Sequence, residues 1–206
     1  MKASFQRGED IHRSTAARVF KVALDDVTRE QRSYAKTVNF GIIYGVSSFG
    51  LSQQTDLSRK EAKELIDTYY ETYPKLRNYI SDQIDFAREH GYVQTVLGRR
   101  RYLKDINGSN AVVRGAAERN AINAPIQGSA ADIIKIAMIR IQEKLVQGGY
   151  KTKMLLQVHD ELVFDVYLKE LEEVSTMIRA EMENAYTLTV PLVVDIGVGD
   201  NWLEAH

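Results

Sequence analysis

At 206 residues the chain can bury one large or two small cores, and its 44% hydrophobic and 27% charged content is that of an ordinary globular protein, not a disordered or fibrous one. No apolar run reaches the ~18 residues of a membrane span, and the absence of cysteine excludes disulfides and thiolate metal sites. The net charge of −1 conceals a division: residues 1–119 carry 20 Lys and Arg against 15 Asp and Glu, a net +5, and residues 120–206 carry 7 against 13, a net −6, which suits an anion-holding region followed by a cation-holding one.

Taken in order, residues 1–28 read as a short helical start, with Asp10-Ile11-His12 leading into an alanine-rich stretch at 14–20. Asp25-Asp26-Val27 forms a turn, and Thr28 is placed to cap the helix that follows. That helix, REQRSYAKTVNFGIIYG at 29–45, is the most informative stretch of the chain. At 3.6 residues per turn it sets Arg29, Arg32, Lys36, Phe40, Ile43 and Tyr44 on one face, while Ala35, Val38 and Ile42 lie elsewhere and pack inward. Cations one turn apart suit a phosphate chain, and an aromatic ring one turn further suits a base. Periodicity alone favours the plainer alternative, a solvated stripe ending in core aromatics. Like charges at i, i+4 and the helix-weakening Gly41 and Gly45 point toward an anionic partner and a close approach.

Beyond it, residues 46–50 read as a loop and 51–55 as a short helix. Ser58-Arg59-Lys60-Glu61 is a capping box that opens a helix to about Tyr73; Pro74 starts the next, which runs to His90 and stops at Gly91. Residues 92–96 and 100–103 form a hairpin around Leu97-Gly98-Arg99. Asn110 caps a helix to about Asn123, Pro125 interrupts it, and a second helix runs from 129 to 147, ended by Gly148-Gly149. Residues 153–158 and 162–166 are strands, 168–186 a helix, 191–198 a strand buried on both faces, and the tail packs Trp202. The expected fold class is α+β: a mostly helical region at 1–119 with a basic hairpin near 92–103, then an antiparallel sheet with packed helices at 120–206.

Three further constellations carry chemistry. In Gln157-Val158-His159-Asp160-Glu161 a tight turn between apolar strands presents two carboxylates on one rim, where hard oxygens suit magnesium. The alternative is a turn-favouring Asp beside a solvated Glu, and His159 either orients a phosphate or is structural. Arg114, Glu118, Arg119, Asn123 and Gln127 form a polar row whose amides could read base edges in a minor groove, or serve as an internal ion pair with caps around Pro125. Gly98-Arg99-Arg100-Arg101-Tyr102 suits backbone phosphates, or is a solvated hairpin tip.

Together these residues resemble the C-terminal part of the bacterial family A DNA polymerases, the DNA polymerase I type. Arg32-x3-Lys36-x3-Phe40-x3-Tyr44-Gly45 matches that family's finger-helix motif, and Val158-His159-Asp160-Glu161 its second palm carboxylate motif. Gly98-Arg99-Arg100 and the run from Glu118-Arg119 to Gln127-Gly128 also match, in the same order. The resemblance implies helical fingers followed by part of an antiparallel palm. It implies that Arg32 and Lys36 bind the triphosphate of an incoming deoxynucleoside triphosphate, with His12 near the same phosphates. Phe40 would lie against the sugar, a phenylalanine there implying discrimination against dideoxynucleotides, and Tyr44 would stack near the nascent base pair. Arg99 and Arg100 would hold DNA backbone, Arg119, Asn123 and Gln127 the primer–template minor groove, and His159 the primer end. Asp160 would ligate catalytic magnesium with Glu161 close by. The implied reaction is two-metal attack of a primer 3′-hydroxyl on an α-phosphate, with Lys36, Asp160 and Glu161 as catalytic residues, in a cytoplasmic, nucleoid-associated enzyme of DNA replication and repair.

The departure matters as much. The family places another metal-binding Asp upstream in a D-Y-S-Q-I-E-L-R-like stretch, which this sequence lacks; Glu9 and Asp10 do not sit in that pattern. The first palm strands, the thumb and any exonuclease domain are likewise unmatched, and Met1-Lys2-Ala3 reads as a truncated start. The expectation is a chain inactive by itself, its two-metal site incomplete, with an exposed palm edge prone to self-association. A different class of function, an inert nucleic-acid or nucleotide-binding module, fits the same residues. A single-subunit RNA polymerase fits the Phe40 context and the Gln157–Glu161 run less well.

Overall fold

The helix boundaries follow from their terminal chemistry. Thr28 accepts from the Gln31 N–H while the Gln31 side chain reaches back to the Thr28 N–H, and Ser58 and Glu61 make the same reciprocal box. These open α3 (Arg29–Ile43) and α5 (Arg59–Thr72), each box satisfying two donors that the first turn otherwise leaves orphaned. Pro74 supplies the first position of α6 (Pro74–His90), where its missing N–H costs nothing, and Gly91 ends it at φ +76°. The computed structural model describes residues 1–205. It divides into two compact units, residues 1–128 and the residues from 129 onward, with the boundary inside a long helix.

The first unit adds α1 (Lys2–Gln6), α2 (Ile11–Val19) and α4 (Ser48–Gln54), the hairpin β1 (Tyr92–Gln94) and β2 (Arg100–Tyr102), and the first part of α7 (Ala111–Gln147). Asp10 caps α2 by accepting from the His12 and Arg13 N–H groups. The apolar side of α3 packs Val38 and Ile42 against Val19, Leu51, Ala62, Leu65 and Tyr69, and Ala35 against Ala16 and Val27. Truncating Ile42 to alanine would cost about 2–5 kcal/mol at such a site. A second cluster gathers Ala87, Val93, Leu103, Ile106, Ala117 and Ala121 beneath the hairpin, which pairs Tyr92 with Tyr102 in antiparallel register.

The second unit holds the rest of α7, the antiparallel pair β3 (Lys153–Val158) and β4 (Glu161–Asp165), a 3₁₀ turn at Leu168–Glu170, α8 (Leu171–Glu183) and α9 (Trp202–Ala205). Its core joins Ala137, Ile141 and Leu145 of α7 to Val174 and Ile178 of α8, with Leu162 and Phe164 packed against it. Glu170 ties the strand pair to the turn by accepting from the Lys151 and Thr152 N–H groups and the Thr152 hydroxyl. These bonds, that from the Lys151 N–H foremost, hold its carboxyl below the usual range. The α+β class is as expected, with small antiparallel pairs in place of one larger sheet.

Several expectations are corrected. Pro125 does not end its helix: α7 runs through it, because buried Ala117, Ala121 and Ile122 before it and Ser129 and Ile134 after it outweigh one missing ladder bond. Residues 46–50 are not all loop, since Ser47 caps α4 by accepting from the Gly50 N–H, and that helix ends at Gln54. The hairpin strands are shorter than 92–96 and 100–103, and 168–186 divides into a 3₁₀ turn and α8, ending at Glu183. Residues 191–198 form no strand, and Val193 and Val198 are exposed. Their backbone lacks a ladder; instead Val194 O accepts from Arg179 and the Val194 N–H donates to Glu183, both on α8. Trp202 is 51% exposed and does not fill a core.

Candidate functional site

On α3 the turn-by-turn placement separates two faces. Ala35, Val38 and Ile42 are buried, whereas Arg32, Lys36, Phe40 and Tyr44 are exposed. Phe40 and Tyr44 remain 50% and 51% exposed, so the reading of these rings as core is excluded. Large aromatic faces left in water beside a lysine are available to a ligand. A groove of about 660 Å³ opens along this face, lined by Lys36, Phe40 and Tyr44, by Gly45 and Ser47 beyond the helix end, by Gln54 of α4 and by Arg119 of α7. That volume suits a nucleotide-sized molecule.

Gly45 makes the groove's end possible. Its φ is +69°, and a Cβ there would lie 2.9 Å from Arg119 Cγ. Both the left-handed backbone and the close approach of Arg119 therefore require glycine. Gly41 is similarly pressed by Val46, whose Cγ1 would be 2.7 Å from an added Cβ.

The opposite end of the face is built by α2. Arg32 Nε pairs with Asp10 Oδ2 at 2.6 Å, using one of its five N–H donors. His12 lies against Phe40 with ring centroids 5.6 Å apart, and its Nδ1 meets Asn39 Nδ2 at 3.0 Å. Burial, and next the Arg32 and Lys36 charges, hold the His12 imidazole below its usual pKa against the opposing pull of Asp10. It is therefore a neutral ring at pH 7. For Asp10, burial works upward but is outweighed by the bonds from Arg32, Arg13 and His12, so its carboxyl titrates below the usual range.

The residues expected on DNA, His159 excepted, fall in the same unit up to Gly128. Arg99 donates from Nη2 to Gly128 O at 3.1 Å, and Arg100 lies 4.4 Å over the Tyr92 ring. Arg119 is exposed along the groove, Gln127 Nε2 is 3.5 Å from the Tyr44 hydroxyl, and Asn123 Oδ1 is buried with no hydrogen-bond partner among the described residues. Glu118 accepts from Arg88 at 2.8 Å, with Arg114 at 3.9 Å, so its principal partner is Arg88 of α6 and not its own helix.

His159, Asp160 and Glu161 belong to the second unit. Val158 pairs with Glu161, leaving His159-Asp160 as a two-residue turn, with His159 at φ +53°. A positive φ at the first turn residue alone suits a type II′ hairpin, where glycine is the easy occupant. The histidine is held there at some backbone strain, with Gln157 Nε2 donating to its carbonyl at 2.8 Å. The turn exposes Asp160 and leaves Glu161 half-buried. Among the described residues no cluster of three or more His, Cys, Asp or Glu forms.

The residues that sequence reasoning missed are Asn39 and Tyr69. Asn39 interrupts the buried stripe at 35, 38 and 42, and a polar residue within an apolar stripe was the available signal. Tyr69, far along the chain, offered none.

The comparisons with known proteins agree with one another. A family model described as DNA polymerase family A matches residues 1–204. DNA polymerase I of Streptococcus pneumoniae serotype 4 is 55% identical over 203 residues, covering 98% of this chain and 23% of that protein. DNA polymerase I of Caldicellulosiruptor bescii is 50% identical over 98% of this chain and 24% of its own length. The solved structure of the POL domain of Pol1 from M. smegmatis, in complex with DNA primer-template and dNTP, superposes with a TM-score of 0.95 at 47% identity, over 100% of this chain and 36% of that one. The chain thus spans about a quarter of the length of the relatives it matches.

Proposed function

The chain belongs to DNA polymerase family A, and from that premise we propose that it supplies the nucleotide-holding helix and one metal-binding turn of a DNA-directed DNA polymerase acting in replication and repair. The observation that carries this reading is the exposed Arg32–Lys36–Phe40–Tyr44 face beside a groove of nucleotide size. Arg32 and Lys36 would take the triphosphate, with His12 donating to the same phosphates. Phe40 would pack on the deoxyribose and Tyr44 under the base pair. Arg99, Arg100, Arg119, Asn123 and Gln127 would hold primer–template DNA, and His159 the primer end. A complex of a 47%-identical polymerase domain with primer-template and dNTP supports both partners.

Asp160 and Glu161 fit part of a magnesium shell: hard oxygens on an exposed tight turn, in a number that leaves positions for water and phosphate. When bound there, magnesium supplies charge neutralisation for transfer of an α-phosphoryl group to a primer 3′-hydroxyl. Lys36 contributes a fixed positive charge on the triphosphate, and the apolar ring of Phe40 excludes water from the sugar edge. The proposed setting is the cytoplasm, at the nucleoid. Among the described residues no helix is long and apolar enough to cross a membrane.

Binding of a magnesium–dNTP complex to the chain, followed by fluorescence or calorimetry, should weaken about tenfold in Lys36→Ala, as for loss of a charge-assisted contact. Unchanged affinity would remove Lys36 from the triphosphate site. The chain by itself should show no primer extension, since its sequence contains one palm carboxylate motif and not the other. Extension by the purified chain that disappears in Asp160→Ala would overturn that expectation.

A further inference from the structure

Asn39 occupies an unusual place on α3. It is 8% exposed, within the stripe that otherwise packs Ala35, Val38 and Ile42. Its amide joins three elements. Oδ1 accepts from the Tyr69 hydroxyl of α5 at 2.9 Å and from Thr15 Oγ1 of α2 at 3.4 Å. Nδ2 lies 3.3 Å from Thr15 Oγ1 and 3.0 Å from His12 Nδ1. Core packing would be served by any apolar residue of that size, so a four-contact amide here calls for another reason.

We propose that Asn39 is a positioning residue that sets the tautomer of His12, and that Tyr69 holds Asn39 in the orientation that does so. An amide N–H donated to His12 Nδ1 requires a lone pair on that nitrogen, which leaves the ring proton on Nε2. The imidazole then offers an N–H donor, not a lone pair, to an anion on the Arg32–Lys36 face that its ring adjoins through Phe40. The opposite orientation of the amide would bring Oδ1 to His12 and stabilise the other tautomer. Tyr69 decides between them. Its hydroxyl is in a 1% exposed side chain and, among the described residues, its hydrogen-bond partner is Asn39 Oδ1. Reversing the amide would deprive that buried proton of its acceptor, a penalty the fold avoids. Thr15, able to donate or accept, is satisfied either way and casts no vote.

The charged and titratable groups around His12 fit this role. Asp10 lies on its own helix; Arg32 and Lys36 come from α3; Tyr69 and Tyr73 approach from α5 and its end, Tyr73 through a 3.4 Å bond to Thr15. Asp10 is engaged by Arg32 and by two backbone N–H groups. The imidazole is therefore left to Asn39 as its hydrogen-bond partner and not to a carboxylate that would make it cationic.

The phosphate half of this inference rests on the reading of α3 as a triphosphate site; the tautomer half does not. The test is two-bond ¹H–¹⁵N correlation of the His12 ring in the ligand-free chain, with and without Tyr69→Phe, Asn39→Asp and Asn39→Leu. The wild-type ring should be the Nε2–H form. Tyr69→Phe, the mildest change, should yield a mixture of tautomers, and Asn39→Asp should shift the ring to Nδ1–H or the imidazolium. Affinity for inorganic tripolyphosphate should fall in proportion to the Nε2–H fraction lost, about twofold for an even mixture in Tyr69→Phe and in Asn39→Leu. A wild-type ring protonated at Nδ1, or one unchanged by both Tyr69→Phe and Asn39→Asp, overturns the proposal. If the wild-type chain shows the expected tautomer and response yet binds no tripolyphosphate, the triphosphate reading of α3 fails while the Asn39 assignment of the ring stands.

Discussion

At Gly45 the backbone and a neighbouring side chain impose the same requirement, with φ at +69° and Arg119 Cγ 2.9 Å from where a Cβ would sit. Gly45→Ala should cost about 1–2 kcal/mol in the left-handed backbone and also displace Arg119, so DNA affinity should fall together with thermal stability. A variant with lowered melting temperature and unaltered DNA binding would separate the two effects. Asp10 combines a cap with a charge. Asp10→Asn keeps an oxygen to accept from His12 and Arg13 but loses the charge paired with Arg32, so it should cost less than Asp10→Ala, which should cost about 1 kcal/mol, measurable as a shift of about 2–4 °C in melting temperature for a chain of this size. The pH dependence follows from the direction of the shift. The Asp10 carboxyl is lowered in the folded state, so its stabilisation is complete above the unfolded value of about 3.9 and is lost as pH falls through the folded value. His12, also lowered, adds stability that is present above an unfolded pKa of about 6.5 and declines as pH drops below it. Stability of the wild-type chain should therefore decline in two stages on acidification, and Asp10→Asn should shrink the lower one, which Asp10 shares with other lowered carboxyls such as Glu170.

Among the elements, α7 shows how packing overrides local preference. Pro125 removes one N–H from the ladder and crowds the carbonyl of Ala121, a cost on the order of 3 kcal/mol in an isolated helix. The helix continues because it is buried on both sides of the break, at Ala121 and Ile122 and again at Ile134, Ala137 and Ile141. Pro125→Ala should restore a bond and slow amide exchange at 126–129, raising stability on the order of 1–3 kcal/mol. Faster exchange there would mean that the proline fits the native backbone better than an ideal helix does. The turn at His159-Asp160 is the opposite case, since a two-residue connection leaves the backbone little freedom and presents the carboxylates whatever surrounds it.

For the molecule as a whole, β3 and β4 form a sheet of two strands, and β3 exposes Leu155 and Leu156. Unpaired strand edges with apolar side chains favour edge-to-edge association. The chain should elute from size-exclusion columns at an apparent mass that rises with concentration, and Leu155→Lys should suppress the rise; a constant monomer across concentrations would rule it out. The charge division is a property at this scale too, +5 over residues 1–119 and −6 beyond. DNA binding by the chain should accordingly weaken steeply with added salt.

What the sequence determined by itself was local chemistry and kinship. Thr28 with Gln31, Ser58 with Glu61, Pro74 and Gly91 announce their helix ends because caps act over three or four residues. The α+β class and the polymerase family were legible because ordered motifs repeat a known pattern. Tertiary structure decided the rest. The continuity of α7 through Pro125, the strandless backbone at 191–198 held by Arg179 and Glu183, and the exposure of Trp202 depend on what lies alongside. So does the link from Tyr69 through Asn39 to His12, whose members stand 30 and 27 residues apart in sequence. Periodicity and caps describe a residue's neighbours along the chain. Burial and hydrogen-bond satisfaction are set by neighbours in space, and only folding specifies those.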